Sequence, residues 1–267
     1  APEPLPDLMP DGSHWPKISV VTPSYNQGQY IEETIRSVLL QGYPNLEYII
    51  NDGSSTDDTL EIIKKYEPWI AYWVSEPDRG QSHAINKGIG KATGEILFWL
   101  NSDDICLPNA FTEIVKTLNE NPEIKIVTGQ AKVIDENGGY VGELRSRFSS
   151  WEELASNPRN SVRQISSFFC RELFELGGVD EKLHIAMDTD LLFRFTRFHE
   201  PLVIENYLAA YRSHSQAKTS SQLLRGYQET DRLRLKLLKD KQLLKQYRLR
   251  SSSNWLSLSK SGNNSII

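Results

Sequence analysis

Three short polar clusters hold the side chains best suited to chemistry: TPSYN at residues 22–26, NDGSSTDD at 51–58 and NSDD at 101–104. The last is the sharpest, because Asp103 and Asp104 follow the apolar run EILFWL, and adjacent carboxylates repel without gaining anything from a buried neighbour. A divalent cation, Mg²⁺ or Mn²⁺, offsets that repulsion, and such a cation in turn implies phosphates. Asp103 would offer it a hard oxygen. In the other clusters Asp52 provides an acceptor for the imino N–H of a pyrimidine, and Tyr25 provides a ring and a hydroxyl. Taken singly, Asn26, Gly28, Asp52 and Gly53 are ordinary turn formers, and Asp57 and Asp58 are ordinary first-turn helix residues. Their common placement gives them weight.

That placement comes from the elements around them. From Lys17 onward, short apolar runs alternate with segments of helical period, the pattern of βαβ units around a mostly parallel sheet. ISVVTPSYN reads as a first strand, QYIEETIRSVLLQ as a helix with Ile31, Ile35, Val38 and Leu39 on one face, and LEYIIND as a second strand. Ser55 followed by Asp58 reads as a capping box opening the next helix. AYWVSE, EILFWL and IKIVTG supply three more strands, with SHAINKGIGKA and PNAFTEIVKTLNENP as helices. All three polar clusters thus fall at carboxyl ends of strands, where open α/β sheets bind ligands. After residue 130 the alternation is less regular: a hairpin over AKVIDENGGYVGELRS, then RQISSFFCRELFELGGVD, then a helix from Asp190.

Residues 222–250 read as an amphipathic helix with nine Lys or Arg against three Asp or Glu, followed by a Ser-rich polar end. Residues 1–16, Pro-rich and acidic, read as a linker or trimmed end, with no signal-peptide pattern. A net charge of −5 over 267 residues excludes a nucleic-acid binder with a wholly basic surface. Cys106 and Cys170 alone cannot frame a secreted disulfide scaffold, so reduced thiols and a cytoplasmic location are expected. No apolar run approaches the roughly 18 residues of a membrane span, although the basic helix would suit peripheral contact with the inner face of a membrane. A dinucleotide site is excluded, since GIGKATG at 88–94 lacks the G-x-G-x-x-G spacing and precedes a strand instead of following one.

With those residues placed, the chain is similar to the inverting, family 2 type of GT-A glycosyltransferases over residues 17 to about 215. The resemblance is carried by VVTPSYNQGQYIEETIRSVLLQ, IINDGSSTDDT, SEPDRGQSHAINKGIGKATGEILFWLNSDD and FELGGVDEKLHIAMDTDLLFR, in that order. It implies a GT-A, Rossmann-like α/β fold over 17–220, with 17–130 the nucleotide-binding half and 131–220 the acceptor-binding half, and a helical extension with a polar tail over 221–267. It implies that Pro23, Tyr25 and Asp52 line the nucleoside pocket and that Arg79 lies near the nucleotide. NSD takes the place of a D-x-D motif, so Asn101 and Ser102 would approach the ribose or sugar. Asp103 would hold Mn²⁺ or Mg²⁺, and His214, in YRSHSQAKT, would lie near the diphosphate or metal. Asp188 matches the aspartate that acts as general base.

The activity implied is transfer of a sugar from a nucleotide diphosphate, a UDP-sugar foremost, to a glycan or lipid-linked acceptor in bacterial surface polysaccharide synthesis. Two departures stand out: Asn101 replaces the commoner first Asp of D-x-D, and His83 stands where relatives often carry Asp. Two other readings stay open. A nucleotidyltransferase would carry a Gly-rich basic phosphate loop where this chain has TPSYNQGQY, and a catalytically weak sugar-nucleotide or glycan-binding module would fit Asn101 but not Asp188.

Overall fold

The computed structural model describes residues 5–156, 161–218 and 222–237. In chain order its elements are β1 (Ile18–Ser24), α1 (Ile31–Leu39), β2 (Leu46–Asp52), α2 (Thr59–Tyr66), β3 (Tyr72–Ser75), α3 (Gln81–Lys91), β4 (Ile96–Trp99), β5 (Ile105–Cys106), α4 (Ala110–Glu120), β6 (Ile126–Ile134), β7 (Tyr140–Leu144), α5 (Trp151–Ser156), β8 (Ser167–Cys170), α6 (Met187–Thr196), β9 (Leu202–Arg212) and α7 (Leu223–Leu237). One sheet runs β3-β2-β1-β4-β8-β6-β9-β5, with β7 paired to β6.

The expected alternation of strand and helix holds through the first half, where β3, β2, β1 and β4 pair in parallel. All seven residues of β1 are buried because helices cover both faces of the sheet, and Ser19, Thr22 and Ser24 are enclosed along with Ile18, Val20 and Val21. On α1 the residues Ile31, Ile35 and Val38 are fully buried, at the helical spacing expected of them. α3 lies so close to β1 that a Cβ on Gly88 would strike the Val21 side chain, and glycine is what permits that approach.

Beyond β4 the sheet becomes mixed. β8 enters antiparallel between β4 and β6, with Phe168 opposite Phe98 and their rings stacked at 4.1 Å. β9 then runs parallel to β6 and returns the chain to the site edge of the sheet.

Three expectations need correction. The Ser55–Asp58 capping box does not form: the Ser55 hydroxyl turns back to Asp52, and the Asp57 carboxylate takes the Thr59 amide and hydroxyl. Within the expected linker over 1–16, Leu5 and Met9 rest partly on the core and Trp15 is anchored in it, while residues 6–8 and 10–14 are exposed. Trp15 is buried edge-on to Tyr43, and its Nε1 donates to the Pro6 carbonyl at 2.8 Å. The helix expected from Asp190 starts at Met187, which puts Asp188 in its first turn. Of the helix expected over 222–250, the described part is α7; its continuation and the polar tail lie outside the described residues.

Candidate active site

The carboxyl ends of β1 and β4 open onto a cavity of about 620 Å³. Its lining includes Pro23 and Tyr25 after β1, Gly53 after β2, Asn101, Ser102 and Asp103 after β4, and Asp188 on α6. Side chains as much as 165 residues apart in the chain therefore face one space. Tyr25 is 61% exposed, so its ring is a free stacking face at the mouth.

The adjacent aspartates have separate surroundings. Asp104 is buried, its carboxylate accepting the Arg212 amide (3.0 Å) and the Asn101 Nδ2 (3.1 Å). Burial, and then the charge of Asp103, push its carboxyl well above the usual range. Asp103 instead turns toward the cavity, with Oδ2 3.1 Å from His214 Nε2, and His214 is buried against the Tyr30 ring. The turn between them is fastened through its backbone, since Thr34 Oγ1 donates to the Ser102 and Asp104 carbonyls and Arg212 Nε to that of Asp103.

Asn101 is fully engaged. Its Oδ1 accepts from Trp99 Nε1 and Gln81 Nε2, both at 2.9 Å, while its Nδ2 donates to Asp104. An aspartate here would set a carboxylate against the buried Asp104, which gives a physical reason for the amide in this chain.

Asp188 lies half-buried in the cavity wall. Its Oδ1 accepts the Thr189 amide at 2.6 Å, and burial pushes its carboxyl above the ordinary range against the opposing pull of that amide and of Arg163. Two residues upstream the chain is clamped. Glu229 Oε2 on α7 accepts the amides of His184 (3.0 Å), Ile185 (2.8 Å) and Ala186 (3.1 Å), three N–H groups at the start of α6. Asp190, by contrast, is paired with Arg194, whose guanidinium also holds the carbonyls of Leu176, Gly177 and Gly178.

Three of the residues expected at the site sit apart from the cavity lining. Asp52 is buried behind Gly53, its oxygens taken by Ser55 N, Ser55 Oγ and Ser75 Oγ. Arg79 points outward to a 2.7 Å ion pair with Glu181, and His214 backs Asp103 without lining the cavity itself. His83 accepts the Arg79 amide on Nδ1, a local turn contact.

Four contributors escape sequence reasoning. Lys218 is the one Lys or Arg among the described residues of the lining, its Nζ donating to Gln81 Oε1 (3.1 Å) and the His184 carbonyl (3.3 Å). Gln81 passes that contact on to Asn101. Glu229 orders the loop before Asp188, and Arg212 joins β9 to the Asp103 turn, the β6–β7 turn and, at 2.5 Å, Glu33 of α1. A sequence displays the charge or amide character of these residues but not their partners.

Arg212→Met is accordingly expected to cost about 3 kcal/mol, from several hydrogen bonds of roughly 1 kcal/mol each. Urea unfolding at unchanged slope would measure it. A loss below about 1 kcal/mol would mean that the two turns hold their shape without the guanidinium.

Comparison with known proteins supplies the family context. The family model described as Glycosyl transferase family 2 matches residues 19–175. An uncharacterised glycosyltransferase of Mycobacterium tuberculosis is 32% identical over 203 residues, covering 73% of this chain and 75% of that protein. Among solved structures, S. aureus TarS superposes with a TM-score of 0.68 at 20% identity, over 88% of this chain and 43% of TarS. The mannosyltransferase PcManGT from Pyrobaculum calidifontis, solved with GDP-Man and Mn²⁺, superposes at 0.64 with 20% identity, over 97% of this chain and 79% of that one. At such identities these likenesses establish a shared GT-A fold.

Proposed function

The chain belongs to glycosyl transferase family 2, and on that premise we propose that it moves a sugar from a nucleotide diphosphate donor to an acceptor hydroxyl with inversion at the anomeric carbon. The observation that carries the proposal is the meeting of Asp103 and Asp188 in one cavity at the strand ends, one turned to His214 and the other half-buried in the first turn of α6. A donor whose nucleoside lies by Tyr25 and whose diphosphate lies by Asp103 leaves its sugar facing Asp188. Asp188 then takes the proton of the acceptor hydroxyl as that oxygen attacks in line, and no covalent intermediate is needed.

The charges in the lining favour a metal partner. Three carboxylates, Asp78, Asp103 and Asp188, face a single ammonium among the described residues, Lys218, whose own charge burial disfavours. Such a site repels a diphosphate unless a further cation enters. Among the described residues no group of three or more His, Cys, Asp or Glu is placed to hold a metal ion. Asp103 and His214 nonetheless bring a carboxylate oxygen and an imidazole nitrogen together, a donor pair whose chemistry suits a divalent ion. These two residues would hold Mn²⁺ or Mg²⁺, which when bound neutralises the charge of the departing diphosphate. Lys218 would add its charge, its ammonium held by Gln81, which Asn101 holds in turn.

UDP is the favoured nucleotide. The TarS fold has been solved with UDP-GlcNAc, and PcManGT with GDP-Man, so the fold accommodates more than one base. Pro23, Asp52, Ser102 and Tyr25 would form the nucleoside and ribose side. Asp52 would act through the Gly53 turn, its carboxylate being spent on Ser55 and Ser75. The acceptor is a glycan or lipid-linked hydroxyl, met from the β6–β9 half. No described helix is long and apolar enough to cross a membrane.

A panel of nucleotide sugars with Mn²⁺, scored for release of nucleoside diphosphate and for the anomer of the sugar set free, tests the reading. One donor should raise the melting temperature and release the inverted sugar. A retained anomer, or no donor bound in the presence of metal, would sink it.

A further inference from the structure

Beside the cavity, on the far side of the His184–Ala186 loop, lies a second concavity of about 510 Å³ that the transferase reading leaves without a role. Four cations line it, Lys182 from the loop and Arg225, Arg232 and Lys236 from α7, against one carboxylate, Glu229. That carboxylate pairs with Arg225 and leaves the other three cations without a carboxylate partner. Its Oε2 is consumed by the three loop amides and its Oε1 by Arg225 Nε at 3.0 Å. Lys182, Arg232 and Lys236 are exposed and carry no ion pair among the described residues.

Three exposed cations without a carboxylate partner line one hollow, and a concavity lined by one sign of charge concentrates the field that draws an anion to it. The packing here is specific. α7 approaches the loop at Gly226, where a Cβ would lie 2.9 Å from Ile185 Cγ2, and Leu233 is buried beneath the helix. The cations therefore stand on a seated helix, at its turns 225, 232 and 236, with the loop lysine completing the ring from a second element.

We infer that this cleft binds a phosphate-bearing group, and that the group belongs to the acceptor. The inference rests on the transferase reading for the word acceptor alone. Lys182 and Leu183 line the cleft, while His184, Ile185 and Asp188 line the cavity, so a single stretch of seven residues separates the two spaces. A sugar whose hydroxyl meets Asp188 and whose reducing end carries a phosphate or diphosphate can occupy both at once. Glu229 makes the two cooperate, since it fixes the loop through its backbone and at the same time orients Arg225. The hollow shape favours a compact phosphate over a flat bilayer surface, to which exposed Leu224 and Leu235 on the same helix would otherwise point.

The test uses inorganic pyrophosphate as probe, titrated calorimetrically into the full chain in EDTA, where the acidic cavity is closed to it. The wild type should bind, and Arg232→Ala/Lys236→Ala, which removes two of the four cations, should bind about tenfold more weakly. Both positions are exposed, so an unchanged melting temperature shows that the double variant folds. Sedimentation with phosphatidylcholine vesicles, with and without phosphatidylglycerol, separates the sources. Equal pyrophosphate affinity for the two proteins, or no binding by either, overturns the inference. Loss of vesicle binding in the double variant without any pyrophosphate effect overturns it in favour of a lipid surface. The titration reads no sugar transfer, so it can fail while donor turnover stands, and the reverse.

Discussion

Asp188→Asn is expected to lower kcat by about 10² to 10⁴ while leaving donor affinity intact, because the amide keeps the shape of the carboxylate but cannot accept the proton. The competing role is that of an acidic residue in the first turn of α6, where asparagine serves nearly as well and turnover would barely move. Stability separates the two further. Burial raises the Asp188 pKa in the folded chain, so the folded state favours the protonated form. Its stabilising effect is then fully present below the ordinary carboxylate pKa of about 3.9, and is lost as pH rises through the higher folded value. The asparagine variant carries no such penalty and should melt at the same temperature or higher at pH 7, with the gap narrowing toward pH 4. The same shift places the acid limb of the wild-type kcat profile above the range of an exposed aspartate. A variant that folds, binds donor and still transfers sugar at the original rate would return Asp188 to a structural role. Asp190 would not inherit the task, since Arg194 already pairs with its carboxylate.

Periodicity and strand-end position make part of this site legible in the amino-acid sequence. Apolar runs ending in polar clusters mark β1, β2 and β4, and the strand-end rule brings Tyr25, Asn101 and Asp103 to one edge. Other features are hidden for physical reasons. Arg212 bonds to Asp104 across 108 residues, and Lys218 to Gln81 across 137, and no local pattern encodes such pairs. The Ser55 capping box fails because the Ser55 hydroxyl donates to the Asp52 carboxylate, three residues upstream, and is turned away from the helix N–H groups that a cap would accept. The family resemblance assigns Arg79 to the nucleotide, yet Glu181, 102 residues on, draws its guanidinium away from the cavity. β8 is unreadable as a strand because SFFC is short, and what makes it one is the free edge of β4 with Phe98 facing Phe168. Pairwise electrostatics and sheet edges are decided in three dimensions, between segments whose separation along the chain carries no period.

Asp103→Ala should weaken binding of the diphosphate sugar by roughly 100-fold in Mn²⁺ while leaving free nucleoside nearly unaffected, since a metal acts on the phosphates and not on the base. Geometry keeps the adjacent side chains from taking over. Asn101 Oδ1 already accepts two N–H groups, and Asp104 is buried under Arg212 and Asn101, so neither can turn to the cavity without leaving a donor unpaired. His214 would remain with the Tyr30 ring but would lose its carboxylate partner, and one imidazole alone is a weak anchor for a hard cation. With the carboxylate gone, the lining keeps Asp78 and Asp188 against Lys218, so electrostatic repulsion of the diphosphate falls even as the metal is lost. These two effects oppose each other, and their balance is measurable. Titrated without metal, the alanine variant should bind the diphosphate sugar as well as the wild type or better; with Mn²⁺, only the wild type should gain. Calorimetry with both ligands, each with and without Mn²⁺, reads all four quantities. Equal losses for nucleoside and diphosphate sugar would mean that Asp103 shapes the pocket as a whole, and the electrostatic case for a metal at this strand end would fall with it.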